Sequence, residues 1–221
     1  MSPRGSRRSF ITSLAASVGG VSLTPLTDVL AATAQGRRWD LAWLDSLKGK
    51  HRQVFDCQNL AGFPLNVVGN YLRAHKEVYN LAPKDLTTVV GIAMRCFPIN
   101  ASDELYRKYP IGRLWDVKDP RTGEHAVRNI YADVTDADSR VMPALPVEDA
   151  VPALVAGGTV FWQCYNGLRG AAMRIANDMK ADPAATLALL ERGLLPHVKL
   201  IPAHTMVLGL AQERGCAYEM L

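Results

Sequence analysis

The run Val89-Val90-Gly91-Ile92-Ala93 constrains this chain more than any other segment. A strand with one wet face alternates apolar and polar residues, so a strand-length run without alternation belongs to a strand covered on both faces. Helices supply such a cover in parallel sheets, and the flanking sequence has them. Residues 52–57 read as a first strand, followed by Val67, Val68, Tyr71, Leu72, Val78 and Tyr79 at helical spacing; residues 86–93 are the second. Residues 159–163 predict a third strand and 166–178 a helix. Asp182-Pro183 then marks the start of a further helix to Arg192, with an N-cap residue ahead of a proline at the first helical position. Residues 197–201 give a fourth strand, 205–213 a helix and 216–220 a closing strand. The expected fold is a three-layer α/β/α domain around a mostly parallel sheet of about five strands.

Between the second and third strands, residues 110–146 are long, polar and turn-rich, with Lys118-Asp119-Pro120-Arg121-Thr122-Gly123 marking a turn. Insertions of that length are expected to be lids, partner-binding arms or oligomer contacts. Asp133, Asp136 and Asp138 lie in it, but the glycine and closing glutamate of a calcium loop are missing, so a solvated acidic turn is expected.

Ahead of the domain, Ser6-Arg7-Arg8-Ser9-Phe10-Ile11-Thr12 leads into a mildly apolar run weakened by Gly19, Gly20 and Ser22, and a small-residue site Ala32-Thr33-Ala34 follows. This has the form of a twin-arginine export signal over residues 1–34, cleaved before Gln35. The expected destination is the periplasm or another exported location, with residues 35–221 as the mature domain. No run approaches the roughly 20 apolar residues that span a bilayer, so no stable membrane insertion is expected after cleavage. The formal net charge of +4 is not gathered into a basic stripe with interleaved aromatics, which argues against nucleic acid as a partner.

The four cysteines, Cys57, Cys96, Cys164 and Cys216, form no CxxC, CxxCH or HExxH arrangement, so neither a metal site nor a cofactor is expected. Their positions say more. Cys57 ends the first predicted strand, Cys96 and Cys164 lie just beyond the second and third, and His204 follows the fourth. In a parallel sheet these places share the carboxyl edge, where open α/β sheets bind ligands. Cys216, at the start of its strand, belongs at the opposite edge and reads as core. Cys164 also opens the helix carrying Arg169 and Arg174, where free amide N–H groups and the helix dipole favour a thiolate. The alternative is a buried, inert cysteine. Cys57 and Cys96 admit a structural disulfide as their plain alternative to a ligand role, and His204 a helix-start residue satisfied by backbone.

The segment Phe161-Trp162-Gln163-Cys164-Tyr165-Asn166-Gly167-Leu168-Arg169-Gly170 resembles the DsrE/DsrF-like (YchN-like) family of sulfur-relay proteins. Leu200-Ile201-Pro202-Ala203, followed by a helix and then Glu213-Arg214-Gly215-Cys216-Ala217-Tyr218, is similar to the family's closing elements. The resemblance covers roughly residues 51–220 and implies a three-layer fold, homo- or hetero-oligomers, a sulfur donor or acceptor protein as partner, and a persulfide-carrying cysteine at Cys164. Cys57, Cys96, Arg169 and His204 are the binding residues expected around it. The export signal and the 110–146 insertion lie outside the family's pattern. Two further readings compete: a non-catalytic binding or assembly subunit co-exported with a redox enzyme, and a small-ligand carrier using the carboxyl-edge crevice.

Overall fold

All six residues of β2 (Thr87–Ile92) are buried, as its unalternating run requires. The structure, a computed structural model, describes residues 37–61 and 63–221; the export signal expected over residues 1–34 lies outside the described residues. β2 is the centre of a five-stranded sheet in the order β4-β3-β2-β1-β5, built with β1 (Arg52–Cys57), β3 (Val160–Cys164), β4 (Lys199–Ile201) and β5 (Ala217–Met220). Every neighbouring pair is parallel. Several boundaries differ from expectation by a residue or two: β3 runs through Cys164, and β4 begins at Lys199 because residues 195–198 form a turn closed by the Val198 amide on the Leu195 carbonyl.

The described residues form eight α-helices: α1 (Leu65–Tyr79), α2 (Asp103–Lys108), α3 (Ile111–Leu114), α4 (Asp136–Val141), α5 (Val151–Ala156), α6 (Tyr165–Met179), α7 (Pro183–Arg192) and α8 (His204–Glu213). Their placement follows from strand order. The chain steps one way from β1 to β4, and right-handed crossovers then put the intervening helices on one face of the sheet. Leu65 of α1, Leu154 of α5, Ile175 of α6 and Leu190 of α7 accordingly share one core with Phe55, Val90 and Phe161. The return from β4 to β5 runs the other way and puts α8 on the second face. There Val207, Leu208 and Ala211 pack with Leu44, Leu47, Val54, Val89 and Trp162. The result is a three-layer α/β/α fold. Among the described residues no helix is long and apolar enough to cross a membrane.

The 110–146 insertion is not a detached arm. Ile111, Val117, Ala126, Ile130 and Tyr131 belong to the larger core. Asn129, 1% exposed, pins the insertion to the chain beyond β2: its side-chain amide donates to the Ile99 and Ala101 carbonyls at 2.9 and 2.7 Å, and its side-chain oxygen accepts from the Tyr131 amide. The acidic turn is solvated only in part, with Asp133 and Asp136 exposed. Asp138 is buried at the start of α4, where Arg121 Nη2 reaches it at 2.7 Å and Arg128 Nη2 at 3.1 Å, while Arg128 Nε holds Asp119 at 2.7 Å. The guanidinium of Arg121 keeps the Asp138 carboxyl well below the usual carboxylate range. Ion pairs with Arg121 and Arg128 satisfy Asp119 and Asp138, and no group of three or more candidate ligands that could hold a metal occurs among the described residues.

Candidate functional site

The strand order fixes where a crevice can open. In open α/β sheets the switch point lies between neighbouring strands whose following helices go to opposite faces. Here β3 leads to α6 on one face and β4 to α8 on the other, so the switch point lies between their carboxyl ends. Cys164 ends β3, and His204 opens α8 three residues beyond Ile201, the register partner of Cys164.

Chain passes from β3 to α6 without a loop, which makes Cys164 both the last strand residue and the N-cap. Its backbone is extended at φ −68° and ψ 123°, and the Gly167 amide N–H donates to Cys164 Sγ at 3.3 Å. The helix can begin there because Gly167 has no side chain: a Cβ would come within 2.7 Å of the Met94 amide nitrogen and 2.9 Å of the Ala93 carbonyl carbon. Gly170, one turn on, meets Met94 Sδ in the same way. The spacing of these glycines therefore encodes close packing of α6 on the carboxyl end of β2. Cys164 is 5% exposed, as the alternative of a buried cysteine expects, beneath a helix start where Tyr165 is also buried and Trp39 lies edge-on against Tyr165 at 5.5 Å. A strand that ends directly in a helix leaves its last residue covered by both.

Strand alternation separates the other expected residues. Cys57, with Phe55, faces the larger core together with Cys96, whereas Asp56, Trp162 and Cys164 face the side of α8. All lie at the carboxyl edge, and Cys216 precedes β5 at the opposite one. The edge is shared but its two faces are not. Arg169 is half-buried on α6. Arg174 is turned away from Cys164, hydrogen-bonded to the Leu114 carbonyl and stacked over the Trp115 ring at 4.9 Å.

His204, 7% exposed, is satisfied by side chains rather than by backbone. Trp162 Nε1–H donates to its Nδ1 at 3.0 Å, and because an indole nitrogen can only donate, the proton of the neutral ring sits on Nε2. That nitrogen donates to Asp56 Oδ1 at 2.7 Å. Asp56 also accepts from Gln58 Nε2 at 2.6 Å and from the Tyr218 hydroxyl at 2.8 Å, and the bond to Asp56 pushes the Tyr218 phenol up from its usual value. Both ring nitrogens are thus committed, so His204 orients a buried network and is not a base for Cys164. Asp56, Trp162, Gln58 and Tyr218 were missed from sequence; an aspartate inside the otherwise apolar Val54-Phe55-Asp56-Cys57 was the available signal.

Two clefts flank the sheet. One of about 390 Å³ lies at the carboxyl edge beside β1, lined by Asn59, Phe63, Trp115, Ile130 and Tyr131 among others. Another of about 660 Å³ lies at the amino edge, with Lys48, Lys50 and Lys84 at its rim. Neither is lined by Cys164.

No family model matches the chain, and no curated protein does. Among solved structures, a protein of unknown function from Methanobacterium thermoautotrophicum, MTH1491, is similar at 14% identity and a TM-score of 0.38, over 78% of this chain and 100% of that one.

Proposed function

We propose that this chain is an exported DsrE-like protein that holds or relays sulfane sulfur on Cys164. The observation that carries the reading is the place of Cys164, at the switch point of the sheet with its sulfur accepting the Gly167 amide at the N-terminus of a 15-residue helix. A developing negative charge on that sulfur meets the positive end of α6. In the transfer step the Cys164 thiolate attacks the terminal sulfur of a donor persulfide, R–S–SH. The donor S–S bond breaks, Cys164–S–SH forms, and the donor leaves as its thiolate and takes up the proton Cys164 gave. The resemblance over residues 161–170 supports the same assignment, and residues 1–34 support export to the periplasm by the twin-arginine route. The edge strand β5, with Tyr218 43% and Met220 65% exposed, offers a surface for the oligomer or partner protein that the reading requires.

The burial of Cys164 favours a second reading, in which the chain is a binding or assembly subunit and Cys164 is a helix cap. One experiment separates them. Reduced protein incubated with an alkyl persulfide is expected to gain one sulfur mass at Cys164 in preference to Cys216, and Cys164→Ser is expected to lose the adduct while keeping its fold. No adduct, or an equal adduct on all four cysteines, establishes the second reading.

A further inference from the structure

Cys57 and Cys96 are the two cysteines that the fold brings together, independently of Cys164. β1 and β2 are adjacent and parallel, with Cys57 in register with Ile92 at their carboxyl ends. Beyond β2 the chain turns back, closed by the Phe97 amide on the Met94 carbonyl at 3.4 Å and the Ile99 amide on the Cys96 carbonyl at 3.0 Å. That turn keeps Cys96 in the same core as Cys57, near enough for the Cys96 thiol to push the Cys57 thiol up, and the Cys57 thiol donates to the Asn59 carbonyl at 3.7 Å. Both are free, and they are 1% and 0% exposed within one core. Neighbouring strands lie about 4.8 Å apart and a disulfide spans Cα atoms about 4.4–6.8 Å apart, so closure asks the turn after β2 to hold Cys96 over the end of β1.

We propose that Cys57 and Cys96 are a redox-responsive dithiol that closes to a buried disulfide by exchange with a small-molecule disulfide. One thiolate attacks a sulfur of oxidised glutathione, giving a mixed disulfide and a glutathione thiolate. The second cysteine, deprotonated, attacks the protein-side sulfur, closes Cys57–Cys96 and releases a second glutathione thiolate. The two protein thiols are oxidised, one oxidised glutathione is reduced, and the two cysteine protons end on the two released thiols. Closure makes residues 57–96, which contain α1 and β2, one covalent loop running from the end of β1, and this restricts the unfolded chain. Access is the controlling step. The neighbouring Cys96 thiol, with burial, pushes the Cys57 thiol up, so few thiolates form in the closed protein. Exchange therefore proceeds by local opening of the cover beside the pair, where Phe63 holds a left-handed backbone at φ 55° and Tyr131 lines the adjoining cleft.

The test uses the full chain, reduced and then refolded from urea in oxidised glutathione, with alkylation in denaturant and peptide mapping without reduction. The expected product is lighter by two hydrogens, with Cys57 linked to Cys96, Cys164 and Cys216 both alkylated, and a higher unfolding midpoint than the reduced protein. Four alkylated cysteines, bonds from Cys57 or Cys96 to Cys164 or Cys216, or a lasting glutathione adduct without closure would overturn the proposal. None of these results depends on whether Cys164 carries sulfur.

Discussion

Gly91 decides how the Trp162–His204–Asp56 network fits beneath α8. A Cβ at this position would lie 2.5 Å from Trp162 Cζ2 and 3.0 Å from His204 Cε1, and both rings are fixed by their hydrogen bonds. Neither ring can retreat without surrendering a partner, so Gly91→Ala is expected to cost about 1–3 kcal/mol, the usual penalty of overpacking a core. Urea unfolding followed by tryptophan fluorescence checks this, with an altered native emission from Trp162; an unchanged midpoint would show that the rings are free to shift. The same residues mark the limit of sequence reading at this scale. Cys164 and His204 were legible as carboxyl-edge residues because each follows a strand. Their environments were not, because the partners Asp56 and Tyr218 come from β1 and β5, which only the strand order makes neighbours.

At the scale of elements, β1, β2, β3, α1, α6 and α7 were legible because each carries its own period or cap; the side chain of Asp182 accepts from the Ala185 amide at 2.7 Å as the Asp-Pro pair implied. The insertion was not legible, since its few apolar residues are scattered among turns and its order comes from pairs that cross those turns, such as Arg128 with Asp119 and Asp138. Those pairs make its stability sensitive to acid. Asp138 has a folded-state carboxyl held well below the ordinary value, first by Arg121. A group lowered in this way contributes stability that is complete above its unfolded value of about 3.9 and is lost as pH falls below it. Asp138→Asn is therefore expected to lower stability at pH 7 by about 1.5–3 kcal/mol, the worth of a hydrogen bond to a charged group. It should also flatten the loss of stability below about pH 4. Unfolding midpoints between pH 2 and pH 7 measure both effects, and a parallel offset of the two curves at every pH would remove the ion pair as the cause.

For the whole molecule, the proposed route of export asks that the domain be complete before it crosses the membrane. Among the described residues the first buried apolar side chain is Leu44, and the two cores draw their members from that position onward. All of these residues follow Gln35. A chain beginning at Gln35 is expected to fold with the thermal midpoint of the full chain, because it retains every described core residue. On the proposed route, recognition by the exporter would rest on Arg7 and Arg8, whose paired guanidinium groups lysine does not reproduce in shape or hydrogen-bonding geometry. Changing both to Lys is expected to leave folded, uncleaved precursor in the cytoplasm, read by cell fractionation and by the mass of the retained protein. The two measurements isolate the two roles: an altered midpoint in the shortened chain would tie the leader to the fold, and normal export of the double variant would remove the twin-arginine assignment while leaving the sheet, the switch point and Cys164 where they are.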